Sequence, residues 1–433
     1  MPSEKKLTFM LEVNFLKNNK EKAIEGLLKK HLDNAETLVE AVLQLDNERK
    51  EGQAELDSVL AESNSKAKAI GQLMKEGKKE EAEAAKALSK ELREKGNLLK
   101  EKLKETEAAL NEKLYLIPNL PHDSVPTGKK AEDNEIINTV GELPSLGENV
   151  LPHWELIKKY DIIDFELGNK ITGAGFPIYK GKGARLQRAL INFFLDEAEA
   201  QGYAEVQVPI LVNEDSCLAT GQLPDKEGQM YYMPKDGLYA IPTGEVPITN
   251  MYRDVILKEA QLPIKNVGFT PCFRREAGSW GADVRGLNRL HQFDKVEIVQ
   301  ITEPSASYDT LEEMSSYVQS LLNKLELPYR VLKLCGGDMT FTSSLTYDME
   351  VYSAAQQRWL EVSSVSNFET YQANRLKLRY KNKEGKKQLL HTLNGSALAL
   401  PRIVASILEN NQTPEGIIIP EVLRKYTGFD MIS

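Results

Sequence analysis

The stretch FRREAGSWGADVRGLNRLHQFDKVEIV, residues 273–299, carries more fixed charge than a packed sheet tolerates without partners. Arg274 and Arg275 precede a glycine-bearing loop, and the chain returns through alternating charged and apolar residues. Two alternating segments around a loop predict paired strands. If residues 272–276 form a strand, Cys272, Arg274 and Glu276 share one face and Arg275 points to the other.

The return segment places Phe293, Lys295, Glu297 and Val299 on one face of its strand. The planar donors of Arg274 suit a phosphate, and an aromatic ring suits the flat face of a base. These residues therefore predict a nucleotide platform. An ion-pair lattice on a sheet surface is the alternative that they leave open.

The rest of the second half predicts an α+β fold with an antiparallel sheet and flanking helices. Extended segments are predicted at 203–212, 266–276, 290–301, 329–334, 347–353 and 359–368, and helices at 186–201, 310–325 and 402–411. Hairpin-like neighbours, and Pro209 inside a strand, argue against a doubly wound parallel sheet.

The first quarter of the chain predicts an antiparallel coiled-coil hairpin, with an arm over residues 28–112 that reverses at Gly77. Residues 20–112 contain no proline. Apolar residues recur there at spacings of three and four: Leu28, Leu32, Ala35, Val39 and Val42 in the first limb, and Ala85, Leu88, Leu92, Leu99, Leu103 and Leu110 in the second. About 35 residues per helix would give an arm about 50 Å long.

The two limbs differ in charge. Residues 29–62 include 4 basic and 9 acidic residues, whereas residues 66–104 include 12 basic and 7 acidic ones. The second limb is the better candidate for a polyanion, although alternating Lys and Glu also simply solvate long helices.

Composition bounds the remaining possibilities. The chain has 433 residues, a net charge of -9 and three cysteines at unrelated spacings, which predicts more than one domain in a reducing, cytoplasmic compartment. No export signal or membrane span is expected. The proline- and glycine-rich residues 116–152 predict a linker between an N-terminal domain, 1–115, and a catalytic domain, 153–433. Since no G-x-x-x-x-G-K-[ST] or G-x-G-x-x-G loop and no HIGH or KMSKS element occurs, arginines and metal would have to hold any phosphates.

Five segments in order resemble class II aminoacyl-tRNA synthetases in their bacterial seryl form. FRREAG with GLNRLHQFDKVEIV is similar to motif 2, GARLQRALINFFLDEAEAQGYAEVQVPILV to motif 1, and HTLNGSALALPRIVASILENNQ to motif 3. IPTGEVPITN and WLEVSSVSNFETYQANR resemble segments particular to seryl-tRNA synthetases. With the helical hairpin, the resemblance covers essentially the whole chain.

The resemblance implies an ATP-dependent serine–tRNA ligase, which forms seryl-adenylate and pyrophosphate and then charges tRNA(Ser), with tRNA(Sec) admitted as a second acceptor. Arg274 and Arg402 would be the catalytic arginines on the α- and γ-phosphates, while Glu276 would read the adenine amino edge and Phe293 would stack on the base. The implied ATP-binding residues are Arg274, Arg275, Glu276, Leu290, Phe293, Glu361, Val362, Ser363, Ser364 and Arg402. Arg275 points away from the face and receives no catalytic role.

The resemblance also implies a Mg²⁺ site at Glu361 and Ser364. Residues three apart on a regular strand face opposite sides, so we expect the strand to bend or end at Ser363 or Ser364.

For serine, the resemblance assigns the substrate ammonium to Thr243 and Glu245, and the side chain or its surroundings to Glu297 and Ser396. Gly244, between the ammonium contacts, stands where many relatives carry alanine. A site that hydrogen-bonds the hydroxyl would reject alanine strongly. His291 and His391 are interpreted as structural, because an ionised substrate carboxylate needs no general base.

In the family the helical hairpin reaches across a homodimer to the long variable arm of the tRNA. The predicted phosphate contacts are Lys75, Lys78, Lys79, Lys86, Lys90 and Arg93. Two alternatives stay open: a binding protein that keeps the fold without catalysis, and a relative that aminoacylates carrier proteins.

Overall fold

The computed structural model describes residues 13–147, 150–225, 227–276 and 285–433. The chain divides into two compact units: Leu32–Pro118 with the described residues up to Leu28, and Asn119–Ser433 with residues 29–31. The division into domains 1–115, 116–152 and 153–433 stays a prediction. None of the helices in the described ranges is long and apolar enough to cross a membrane.

Helices and strands alternate through the second unit, while the first is helical. The helices are α1 Val13–Asn18, α2 Lys20–Lys29, α3 Ala35–Lys75, α4 Lys79–Tyr115, α5 His153–Lys159, α6 Phe165–Ile171, α7 Gly181–Ala200, α8 Glu214–Thr220, α9 Glu245–Asn250, α10 Ser307–Lys324, α11 Thr370–Arg375, α12 Leu400–Asn410 and α13 Glu421–Thr427. The strands are β1 Glu135–Val140, β2 Ile163–Asp164, β3 Ile178–Tyr179, β4 Ala204–Glu205, β5 Leu211–Asn213, β6 Tyr231–Met233, β7 Leu238–Ala240, β8 Ile256–Lys258, β9 Ile264–Phe273, β10 Gln292–Thr302, β11 Tyr329–Lys333, β12 Leu345–Ser353, β13 Arg358–Asn367, β14 Arg379–Lys381, β15 Lys387–Leu389, β16 His391–Ala399, β17 Ile417–Ile418 and β18 Met431–Ile432.

The predicted helical hairpin is formed by α3 and α4, which contain 41 and 37 residues and are therefore about 60 and 55 Å long. The chain reverses at Gly77, whose φ of 76° lies in the left-handed region that glycine adopts without strain. Lys95 Nζ on α4 lies 2.9 Å from Glu55 Oε1 on α3, which shows the antiparallel register. The seam prediction was wrong at Leu28, which lies in α2 and is 50% exposed.

The second unit is built on an eight-stranded sheet in the order β1-β11-β12-β13-β16-β10-β9-β4. All neighbours are antiparallel except β4 and β9. The predicted α+β class with an antiparallel sheet is confirmed. The predicted linker contributes β1, which pairs with β11 at one edge of the sheet.

The prediction of a single strand over residues 203–212 was wrong. That segment forms β4 and β5, which belong to different sheets, and Pro209 lies between them. Proline cannot donate a ladder hydrogen bond, so the break falls where pairing is weakest.

Helices α7, α10 and α12 cover the sheet and form one core with it. Val296 and Ile298 of β10 belong to that core, and so do Val362 and Val365 of β13. Because strand side chains alternate, Lys295 and Glu297 are directed away from the side of β10 that carries Val296 and Ile298.

Candidate active site

Arg274 and Phe293 meet at the end of the β9–β10 pair. Strand β9 ends at Phe273, but Arg274 N still donates to His291 O at 3.0 Å. The Arg274 guanidinium lies over the Phe293 ring, 5.4 Å from its centroid, and its Nε donates to Pro242 O. Arg274 and Phe293, which strand alternation predicts to lie together, do share a face.

Arg275 points elsewhere, as expected. Its Nε donates to Met230 O at 2.9 Å, and its guanidinium lies 4.7 Å from the centre of the Tyr231 ring. Leu290, in contrast, is a buried core residue and exposes only 3% of its surface.

The predicted strand over residues 266–276 was too long. Glu276 has a φ of 48°, so the chain has already left the extended conformation. Its carboxylate accepts a hydrogen bond from Arg289 Nη1 at 2.9 Å and forms an ion pair with it. Residues 277–284, which follow, lie outside the described residues.

A bulge in β13 brings Glu361 and Ser364 to the same side. Glu361 pairs with Glu350 while Ser363 pairs with Met349, so Val362 is the extra residue. The irregularity that we expected at Ser363 or Ser364 therefore exists, but lies one residue earlier.

Asp348 completes this group and was missed by sequence reasoning. It lies directly opposite Ser364 in the β12–β13 register. Burial raises its pKa well above the ordinary value, the negative charge of Glu361 raises it further, and a hydrogen bond from Ser364 partly opposes the rise. Among the described residues, its buried Oδ1 has no hydrogen-bond partner. Two carboxyl groups and a hydroxyl are oxygen donors of the kind that Mg²⁺ prefers.

Arg402 extends from the first turn of α12 toward β13. Its Nη1 donates to Glu361 O at 2.6 Å and lies 3.8 Å from Glu361 Oε2, while its Nε donates to Asn288 O at 3.1 Å. Strands β10 and β16 separate β9 from β13, so these two strands lie about 15 Å apart. Arg274 follows the end of β9 and Arg402 bonds to Glu361 of β13, so the two arginines are anchored to different strands.

A buried ion pair forms the centre of the predicted serine site. Lys295 Nζ lies 2.5 Å from Glu297 Oε2, with the two side chains only 7% and 1% exposed, and it also donates to Thr243 Oγ1 at 2.9 Å. Thr243 Oγ1 in turn donates to Glu297 Oε2 at 3.2 Å, and Asn394 Nδ2 donates to Glu297 Oε1 at 3.0 Å. Glu297 thus has fixed partners on both oxygens.

Glu245 lies beside this pair at the start of α9. It accepts a hydrogen bond from Gln372 Nε2 at 2.6 Å, and Gln372 Oε1 accepts one from Thr392 Oγ1 at 2.8 Å. Burial, and next the negative charge of Glu297, raise the pKa of Glu245 to about 7. Its carboxyl group can therefore change protonation near neutral pH.

The remaining predicted serine residues border Glu297. Ser396 is its cross-strand partner on β16. A Cβ on Gly244 would lie 3.2 Å from Glu297 Cβ and 3.2 Å from Thr270 Oγ1, so an alanine there would be tightly packed. With glycine at position 244, Glu297 Cβ lacks the contact that an alanine methyl group would make.

Comparison with known proteins identifies the class to which this fold and site belong. Residues 231–411 match the model of the tRNA synthetase class II core domain (G, H, P, S and T), and residues 10–121 match that of the seryl-tRNA synthetase N-terminal domain. The serine–tRNA ligase of Salinibacter ruber is 51% identical to this chain, over 98% of the chain and 99% of the relative. The one from Chlorobium phaeobacteroides is 45% identical, over 98% and 100%.

A solved structure agrees with these relatives. Seryl-tRNA synthetase from Pyrococcus horikoshii, complexed with ATP, has 32% identity and a TM-score of 0.89, and the match covers 98% of this chain and 99% of that one. The chain belongs to the seryl-tRNA synthetase family. The predicted activity is thereby confirmed: this enzyme binds ATP, activates serine and charges tRNA with it.

Proposed function

We propose that the site residues divide the activation step as follows. Arg274 holds the α-phosphate, Phe293 stacks on adenine and Arg402 holds the γ-phosphate. The observation that carries this assignment is the Arg274–Phe293 contact beside the buried Lys295–Glu297 pair, since it puts a phosphate ligand and a base platform next to an amino-acid pocket. Glu276 accepts a hydrogen bond from the adenine amino group. To do so, its carboxylate must share or give up its ion pair with Arg289.

The reaction itself needs positioning and charge more than proton transfer. The serine carboxylate, already ionised, attacks the α-phosphorus while the bond to pyrophosphate breaks on the opposite side. Negative charge that develops on the α-phosphoryl oxygens is stabilised by the Arg274 guanidinium. An arginine at the γ-phosphate keeps the triphosphate extended, which favours in-line displacement.

Glu361 and Ser364, together with Asp348, are proposed to hold Mg²⁺. Two observations support the fit of these residues to Mg²⁺. The bulge at Val362 puts Glu361 and Ser364 on the same side of the strand, and Asp348 Oδ1 has no hydrogen-bond partner among the described residues. When bound, the ion supplies charge compensation to the phosphate oxygens. Val362 and Ser363 shape the bulge and are not proposed as ligands.

The serine pocket is proposed to recognise the ammonium and the hydroxyl of the substrate. Thr243 and Glu245 take the ammonium, and Glu297 accepts a hydrogen bond from the hydroxyl in surroundings that include Ser396. Alanine offers no such donor, and a site built to hydrogen-bond a substrate hydroxyl discriminates against an analogue without it by about ten-thousandfold or more in kcat/KM.

The pH dependence of serine activation tests the role of Glu245. Below pH about 7 its carboxyl is largely protonated and attracts the substrate ammonium poorly. We expect kcat/KM for serine to rise about tenfold per pH unit well below the pKa and to level off above it. Pyrophosphate exchange measured from about pH 5.5 to 8.5 checks this, with Glu245→Gln as the control whose low activity should lose the pH dependence. A wild-type profile that is flat across neutral pH contradicts the assignment.

The helical hairpin is proposed to bind tRNA through six exposed basic residues, Lys75, Lys78, Lys79, Lys86, Lys90 and Arg93. Lys75 ends α3 and Lys78 lies in the turn, and the other four belong to α4. Their ion pairs with neighbouring glutamates, such as Lys86 with Glu83, are exposed and cost little to exchange for phosphates. A homodimer, a cytoplasmic location and charging of tRNA(Sec) stay predictions.

Shortening the hairpin separates tRNA binding from chemistry. A variant that replaces residues 56–99 by a glycine turn keeps Gly52 beside Leu103, where a Cβ added to Gly52 would lie 3.8 Å from Leu103 Cδ1. We expect pyrophosphate exchange to stay within about twofold and kcat/KM for tRNA to fall about a hundredfold or more, because six phosphate contacts are lost. The measurement is serine-dependent exchange beside charging of a tRNA(Ser) transcript.

A charge-matched pair of variants controls for the loss of helix. Changing the six basic residues to glutamine should reproduce the loss of charging, whereas changing Glu76, Glu80, Glu81, Glu83, Glu91 and Glu94 to glutamine should not. Unchanged charging by the shortened enzyme removes the hairpin from the proposal. If the wild-type enzyme shows no pyrophosphate exchange with any amino acid, the catalytic assignment is overturned as well.

A further inference from the structure

A second buried polar cluster lies behind the ATP site and is centred on His153 and Glu409. His153 is the first residue of α5 and Glu409 is near the end of α12, and both side chains are 0% exposed. His153 Nδ1 lies 2.6 Å from Glu409 Oε1, and the backbone N of His153 donates to the same oxygen at 2.9 Å. No step of the proposed reaction uses either residue.

The other ring nitrogen of His153 holds the loop that follows residue 284. Leu287 N donates to His153 Nε2 at 2.8 Å, so Nε2 carries no proton and Nδ1 is the donor to Glu409. Gly286 makes the approach possible, because a Cβ there would lie 2.2 Å from Nε2. The imidazole thus links the return limb of the β9–β10 loop to helix α12.

Glu409 has further donors from the turn between β12 and β13. Gln356 Nε2 donates to its Oε1 at 3.0 Å, and Ser353 Oγ donates to its Oε2. Burial alone would raise the pKa of Glu409, but hydrogen bonds from His153 and Ser353 lower it below the ordinary value. The carboxylate is therefore an ionised anchor at neutral pH.

A chain of contacts runs from this anchor to Arg402. Gln356 Oε1 accepts a hydrogen bond from Asn288 Nδ2 at 3.0 Å, and Asn288 O accepts one from Arg402 Nε at 3.1 Å. The carbonyl that orients the Arg402 guanidinium thus belongs to Asn288. The amide of the preceding residue, Leu287, donates to His153.

We propose that His153 and Glu409 are positioning residues for ATP: they fix the backbone at Leu287 and Asn288 and thereby aim Arg402 at the triphosphate. This inference rests on the proposed role of Arg402. The pair contacts no substrate, and its effect is on where the arginine is held before ATP arrives.

Two substitutions, each of which retains the hydrogen bond of one ring nitrogen of His153, test the inference. In His153→Gln the amide oxygen can stand at the position of Nε2 and accept from Leu287 N, whereas in His153→Asn the amide nitrogen replaces only Nδ1. We expect His153→Asn to raise KM for ATP about three- to tenfold, the worth of one lost hydrogen bond, with KM for serine within about twofold. His153→Gln should restore KM for ATP to within about twofold of the wild type.

The measurement is pyrophosphate exchange normalised to active sites by titration of bound adenylate. His391→Asn is the matched control, since His391 is also buried and bonds Ser307 through Nδ1, and it should leave KM for ATP unchanged. If His153→Asn lowers only the melting temperature or the active fraction, the pair is structural and the inference is wrong. If it does not fold, Gln356→Ala, in the turn, must raise KM for ATP instead.

Arg402→Ala separates the two levels of the proposal. If KM for ATP is unchanged in Arg402→Ala, the proposed function of that arginine fails. If Arg402→Ala raises KM for ATP and both His153→Asn and Gln356→Ala do not, only the positioning inference fails.

Discussion

Replacing Arg274 with alanine is expected to lower kcat for seryl-adenylate formation about a thousandfold, while replacing Arg275 with alanine changes it by about twofold or less. The first substitution removes a cation from the place where charge develops on the α-phosphoryl group, and such donors contribute about a hundred- to a thousandfold each. Arg275 instead bonds Met230 O and covers Tyr231 on the other side of the chain.

Adjacent residues of the same type make this an internally controlled comparison. Serine-dependent pyrophosphate exchange gives kcat and both KM values, and thermal unfolding reports stability. Arg275→Ala should cost stability about 1 kcal/mol through its lost hydrogen bond and ring contact. Equal losses of kcat in the two variants would contradict the assignment of Arg274, because they would point to a shared structural effect.

Alternation predicts a site well where a strand is regular. Phe293, Lys295 and Glu297 lie on β10, and their common face follows from the period of two alone. Glu276 fails the same argument because the chain turns at its positive φ, which no residue type in CFRRE announces. Lys295 was placed on the correct face, but its bond to Thr243 depends on a segment about 50 residues earlier and has no local signal.

The bulge in β13 shows how function can predict geometry, and to what precision. Two metal ligands three residues apart on a strand face the same side only if one residue between them is inserted as a bulge. The alternation of side chains does not say which residue that is. Val362 and Val365 are both buried in one core although they are three residues apart, which also requires an insertion, but only the pairing of β13 with β12 places it at Val362. Asp348 could not be found this way, since its relation to Ser364 is set by pairing of two strands.

The coiled-coil hairpin was predictable because its signal is local and repeats over many turns. Its ends were not: Leu28 continues the spacing but belongs to α2, and the chain breaks the helix between Lys29 and Ala35. Periodicity reports a helix face and carries no information on where an earlier helix stops.

Replacing Glu297 with alanine is expected to lower serine-dependent exchange about a thousandfold or more and to destabilise the enzyme by about 3 kcal/mol. The activity is lost because the hydroxyl acceptor and the partner of Thr243 disappear together. The stability is lost because Lys295, 7% exposed, would remain as an unpaired buried cation. Urea unfolding and pyrophosphate exchange measure the two effects.

A double variant distinguishes the contribution of Glu297 to recognition from its contribution to folding. Lys295→Met with Glu297→Leu replaces the buried pair by apolar side chains of similar volume, which is often neutral for stability. We expect this variant to recover most of the lost unfolding free energy and none of the exchange activity. The pair Lys265–Glu313, whose side chains are 21% and 56% exposed, provides the comparison, since Glu313→Ala should cost less than about 1 kcal/mol. Recovery of exchange in the double variant would mean that Glu297 acts only through folding, and the serine pocket would have to be sought elsewhere on the sheet.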